Sequence, residues 1–119
     1  MSIGYSSIKL LGYLGHDPRP IESGGDVRGA RFSLAVSRAW TDETGQRQED
    51  TEWFTVVAWG RLAENCLTYL SKGSRVFAVG RPRIQRWTEK KGGGREQVQV
   101  LADQVIFLDR PETEEDQEE

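Results

Sequence analysis

Gly29-Ala30-Arg31-Phe32-Ser33-Leu34-Ala35-Val36-Ser37-Arg38 alternates residue by residue. Ala30, Phe32, Leu34 and Val36 fall on one face, and Arg31, Ser33, Ala35 and Ser37 on the other. A period of two marks a half-buried β-strand. Thr51 to Trp59 behaves the same way, with Trp53, Thr55, Val57 and Trp59 on one face and Phe54, Val56 and Ala58 on the other. Upstream, Ser7 to Leu14 predicts a first strand, closed by Gly15 and the turn pair Asp17-Pro18. Between the two alternating runs, Trp40 leads into a polar loop predicted from Thr41 to Gln48, with Gly45 inside it.

One helix interrupts the strands. Between Gly60 and Gly73, residues Leu62, Cys66, Tyr69 and Leu70 recur at helical spacing, and Ala63 and Leu67 widen the stripe. Gly73 is placed to supply the left-handed position that closes a helix. Strand character returns from Arg75 to Trp87. Lys90-Lys91-Gly92-Gly93-Gly94 then reads as a hairpin tip, Arg95 to Leu101 as the returning arm, and Val105 to Leu108 as a last apolar run. The order is three strands, a helix and two strands, with glycines where a small barrel bends. The predicted class is all-β: a five-stranded OB-fold barrel with one helix between the third and fourth strands. Exposed sheets and hairpin loops of such barrels often bind oligonucleotides, although the pattern alone also admits other small barrels.

The 119 residues suffice for one domain. No run of about eighteen apolar residues is present, so no membrane span is predicted. The start, Met1 to Tyr5, has neither the basic residues nor the apolar stretch of a secretory signal, which predicts a cytoplasmic address. The lone Cys66 has no internal disulfide partner and suits a reducing compartment. The net charge of −3 argues against a nucleic-acid binder until the charges are located. Residues 111–119 hold six acids and no base, so residues 1–110 keep 13 acids and 16 bases, a balance of +3. Twelve of those bases are arginine, the side chain that both grips phosphate and stacks on flat rings. A mildly basic domain over 1–110 and a disordered acidic tail over 111–119 are predicted.

The four tryptophans need a reason. Trp53 and Trp59 share a strand face, Trp40 and Trp87 sit at strand ends beside predicted loops, and parity puts Arg81, Arg83, Gln85 and Trp87 on one face of their strand. Guanidinium neutralises phosphate while indole stacks on a base. Every base has a π-face, so such a surface binds single strands with little sequence preference. Ordinary core packing would account for one tryptophan. It does not account for four beside arginines, in strands whose other faces are already apolar.

Ordered motifs make the reading specific: Ser33 to Trp40 (SLAVSRAW), Thr51 to Glu64 (TEWFTVVAWGRLAE), Tyr69 to Ser74 (YLSKGS), Gly80 to Thr88 (GRPRIQRWT) and Val100 to Asp103 (VLAD). Together, from about Ile8 to Leu108, they resemble the bacterial single-stranded DNA-binding protein family. The resemblance implies sequence-independent binding and protection of single-stranded DNA in replication, recombination and repair. It implies that Trp40, Trp53, Trp59 and Trp87 stack on DNA, Trp59 standing where the family often has phenylalanine. With Arg38, Arg81, Arg83 and Arg86 these form the expected DNA-binding set. A homotetramer is also implied, with replication and repair proteins as partners of the acidic tail. Phe54 departs from the family's frequent histidine at a position associated with subunit contacts, and Tyr13 from its usual asparagine. Pro82 removes a backbone donor within a strand, which predicts an edge or a bulge. The tail ends in Glu118-Glu119 where the family usually ends in Pro-Phe.

No nucleophile–base pair and no metal-ligand spacing is evident, so neither catalysis nor a cofactor is expected. His16 reads as a loop residue, Cys66 as a small core residue, Glu49, Asp50 and Glu52 as a solvated strand entry, and Gly92-Gly93-Gly94 as hairpin flexibility rather than a phosphate loop. Three rivals remain: a primosome-type OB adaptor, a nucleic-acid-processing enzyme, and an interaction module with buried tryptophans.

Overall fold

The computed structural model describes residues 4–108. The predicted acidic tail at 111–119 lies outside them. Six strands and one helix follow in the order β1 (Ile8–Leu14), β2 (Arg19–Ser23), β3 (Asp26–Thr41), β4 (Arg47–Trp59), α1 (Gly60–Tyr69), β5 (Arg75–Thr88) and β6 (Gly94–Phe107). No helix among the described residues is long and apolar enough to cross a membrane.

The strands pair in the order β1-β5-β6-β4-β3-β2, and β1 also pairs with β3. Five strands therefore form a circuit that returns to β1, with β2 outside it on β3. The returning join is short: Tyr13 lies opposite Ala35 and Leu14 opposite Leu34. Gly12 permits it, because a Cβ there would overlap the Ala35 carbonyl oxygen. The even residues of β3 face inward as their alternation predicts, with Phe32 and Leu34 fully buried beside Val56, Val76, Val100 and Cys66.

The helix closes one side of this core through Ala63 and Cys66, and Leu70, just past its end, packs with them. It ends earlier than Gly73 suggested. Leu70 is already extended, its N–H donating to the Cys66 carbonyl. Gly73, at φ +91°, instead serves the turn from Ser71 to Ser74 and donates its N–H to the Leu14 carbonyl. Tyr69, counted in the apolar stripe, is exposed and rests only at an angle against Phe107, ring centroids 6.3 Å apart. Cys66 is a core residue, and burial pushes its thiol up to about 11.

Three further differences come from how the strands pair. No strand was expected at β2, where two prolines flank Arg19 and only Ile21 is half-buried; its pairing to β3 makes it. The expected break after Leu101 is bridged by a bulge. Pairing steps from Val79 opposite Gln104 to Gly80 opposite Ala102, leaving Asp103 unpaired. That extra residue shifts the alternation, so that Val100 and Ala102, then Val105 and Phe107, all reach the core. The loop expected from Thr41 to Gln48 shrinks, since β3 and β4 stay paired out to Thr41 opposite Arg47. Pro82 falls two residues beyond Gly80, the last β5 residue paired with β1, so its missing donor costs no bond to β1.

Candidate nucleic-acid interface

Beyond the core, β3 with β4 and β5 with β6 continue as two-stranded arms. Residues 37–41 of β3 and 83–88 of β5 are exposed on both pleat faces. These arms and the outer face of the β-circuit carry the expected site residues.

The outer face is built in rows. Ala35 stands between Tyr13 on β1 and Trp53 on β4. The next row along links Ser33 to Thr55, Thr55 to Gln99 and Gln99 to Arg83, crossing from β3 to β5. Residues directly opposite one another share a face, so Trp53, Arg83 and, by parity along β5, Arg81, Gln85 and Trp87 point outward together. Gln85 donates to the Gln99 side-chain oxygen at 3.1 Å, tying β5 to β6 across this surface. Trp59 joins it from the far end of β4, opposite Gly29.

Two tryptophans are seated on glycine. The Trp53 ring lies where a Gly15 side chain would be, and the Trp59 ring where a Gly29 Cβ would come within 2.5 Å of Cε3. Each of these two indoles thus has one face against backbone and much of the rest in solvent, Trp53 61% and Trp59 46% exposed; Trp87 is also 46% exposed. A ring held on one side and open on the other leaves a flat apolar face free for a planar partner, which a core residue does not.

The remaining expected residues are not on this face. Trp40 and Arg38 share parity with Phe32 and Leu34, so they lie on the opposite pleat face of the β3–β4 arm, with the Arg38 guanidinium 5.9 Å from the Trp40 ring centroid. Arg86 likewise opposes Trp87 across the pleat of β5, and an ion pair to Glu96 at 3.5 Å occupies it. Arg81 and Arg83, by contrast, have no carboxylate partner among the described residues, and with Tyr5, Ser6, Pro82 and Leu101 they line a recess of about 520 Å³. Among the described residues no three His, Cys, Asp or Glu side chains converge as a metal site requires.

A family model described as the single-strand binding protein family matches residues 5–108. The chain belongs to the single-strand binding protein family. One relative, Single-stranded DNA-binding protein 1 of Chlorobaculum tepidum, is 40% identical over 93 residues, which is 78% of this chain and 57% of that protein. The chain thus spans little more than half the length of that curated relative. Among solved structures, a Plasmodium falciparum SSB in complex with ssDNA superposes with a TM-score of 0.81 at 28% identity, over 92% of this chain and 99% of that one. A deletion mutant of the single-stranded DNA binding protein from Thermus aquaticus gives 0.76 at 30% identity, over 92% and 53% of the two chains. The small single-stranded DNA-binding protein of Streptomyces coelicolor, at 23% identity, shares the fold with a TM-score of 0.73 over 89% and 96%.

Within this family member one aromatic residue, noted in the sequence only as standing in place of the family's asparagine, also lies on the outer face. Tyr13 is 53% exposed in the same row as Trp53, with the Arg75 guanidinium 6.0 Å from its ring centroid. Its alternation within β1, exposed between buried Gly12 and Leu14, was the available signal.

Proposed function

We propose that this protein binds single-stranded DNA with little regard to sequence, acting by occupancy and not by catalysis. The observation that carries the reading is the outer face itself: Trp53, Trp59 and Trp87 half-exposed, with Arg81 and Arg83 free of carboxylate partners among the described residues in the same surface. Exposed indoles stack on any base, and uncompensated guanidiniums neutralise the phosphates between. Trp40 and Arg38 extend the DNA path along the β3–β4 arm. Arg86 contributes only after exchanging Glu96 for phosphate.

In this reading the five-strand circuit is an OB-fold barrel, residues 1–110 form the binding domain, and residues 111–119 form an acidic tail that engages replication and repair proteins. The functional unit is a cytoplasmic homotetramer that protects exposed strands during replication, recombination and repair. Binding only the unpaired form also removes hairpins by mass action. The complex of the Plasmodium falciparum relative with ssDNA supports the choice of ligand.

Titration with oligo-dT, followed by intrinsic tryptophan fluorescence, tests the reading. Strong quenching that saturates, with far weaker binding of duplex of equal length, is expected. Absence of quenching and of binding to oligo-dT would overturn it. Light scattering on the same samples reads the mass, and a strict monomer at micromolar concentration would remove the tetramer from the account.

A further inference from the structure

We infer that Arg19, Arg31 and Lys72 form a phosphate seat between Trp53 and Trp59, over which the backbone of a bound strand passes from one stacked base to the next. The inference rests on the single-strand-binding reading above and adds residues to it. Trp53 and Trp59 lie six residues apart on one strand face, about 20 Å at ~3.3 Å per residue. That is too far for neighbouring bases, so several phosphates must cross the surface between the two rings.

Arg31 occupies that surface. It stands opposite Val57, between the rows of Trp59 and Trp53, and on its other side it faces Arg19 of β2 directly. Like charges directly opposite in a sheet are unfavourable. Neither arginine has a carboxylate partner among the described residues, although Arg28, Arg47, Arg86 and Arg95 each find one locally. Two opposed, uncompensated guanidiniums become favourable when an external anion bridges them.

Lys72 brings a further cation beside Arg19. Its backbone N–H donates to Asp17 Oδ1 at 2.8 Å, pinning the turn after α1 to the β1–β2 loop. The two segments enclose a recess of about 380 Å³ lined by His16, Asp17, Pro18, Arg19 and Lys72. Asp17 is its one acid against the cations Arg19 and Lys72, and Arg31, opposite Arg19 on β3, brings the local balance to +2. The His16 ring bonds the Asp17 carbonyl at 2.7 Å and the Ser33 hydroxyl at 3.3 Å, so it walls the recess next to the Gly15 bed of Trp53.

The test compares the whole chain with Arg19→Ala, Arg31→Ala, Lys72→Ala and Arg31→Lys in oligo-dT titrations across salt. Each alanine variant should flatten the slope of log affinity against log salt by about 0.7 for each phosphate it no longer neutralises, so its deficit shrinks about fivefold for a tenfold rise in salt. Arg31→Lys keeps the charge and should keep the slope. Arg19→Ala and Arg31→Ala should match or exceed the parent in thermal midpoint, since each relieves the like-charge opposition. If the parent binds oligo-dT and all three alanine variants share its affinity and slope, the seat does not exist. If the parent itself does not bind, the underlying reading fails instead.

Discussion

Trp53 is the most exposed of the four tryptophans, yet its ring is fixed on one side by Gly15. Removing the ring should therefore cost binding and little stability. Trp53→Ala or Trp87→Ala is expected to lose about 1–3 kcal/mol per stacked base, a range established for single-strand binders as a class, with the salt slope of oligo-dT binding almost unchanged. Arg81→Ala and Arg83→Ala should do the reverse, flattening the slope and costing less at high salt, while Arg→Lys at each position retains the charge but not the flat face. Unaltered affinity in both tryptophan variants would show that these exposed rings do not stack on DNA. Gly15→Ala displaces the Trp53 ring from its bed without deleting it. The added methyl overlaps Trp53 and comes 2.8 Å from Cη2, so the indole must swing away. Weaker quenching at an unchanged thermal midpoint is the expected result.

At the scale of elements, the β1–β3 join and the β3–β4 turn each depend on one residue. Gly12→Ala sets a methyl against the Ala35 carbonyl, an atom held by the sheet that has no room to yield. A loss of about 1–3 kcal/mol, the usual cost of overpacking, should appear in thermal or urea unfolding. The β3–β4 turn is organised by Asp42, whose Oδ1 accepts from the Thr44 hydroxyl at 2.7 Å and from the Thr44 and Gln46 amides at 2.9 Å. Oδ2 accepts from the Gln48 side chain. The Thr44 hydroxyl first, then the Gln46 amide, hold this carboxyl below its ordinary value of 3.8. A depressed folded value means that the contribution to the turn is full above the unfolded value and is lost as pH falls through the folded one. NMR titration of the Thr44 and Gln46 amides should thus show a midpoint below 3.8. A midpoint at or above it would show that these bonds do not hold the turn.

For the whole molecule, the charge division matters more than the total. Six acids in residues 111–119 accompany a remainder of +3. The tail is expected to compete weakly with DNA for the basic surface. Deleting residues 112–119 should leave oligo-dT binding equal or tighter at low salt, the difference fading as the screening length falls to about 10 Å near 0.1 M. Weaker binding after deletion would make the tail part of the fold.

Alternation over Ala30 to Val36 and over Trp53 to Trp59 was sufficient to place two strands, their core faces and two of the outer tryptophans, because a pleat repeats every two residues whatever it packs against. The same parity in β3 already sets Trp40 with Phe32 and Leu34, although its position near the end of the alternating run obscures it. What depends on which strand lies alongside was not legible. β2 exists through its pairing to β3, the bulge at Asp103 through the register of β5, and the capture of Arg86 by Glu96 through a hairpin that sets them opposite one another. The opposition of Arg19 and Arg31, twelve residues apart, belongs to the same class. Local sequence dictates which face a side chain takes on its own strand; only the register between strands decides which charges and rings share that face, and register is set by long-range packing.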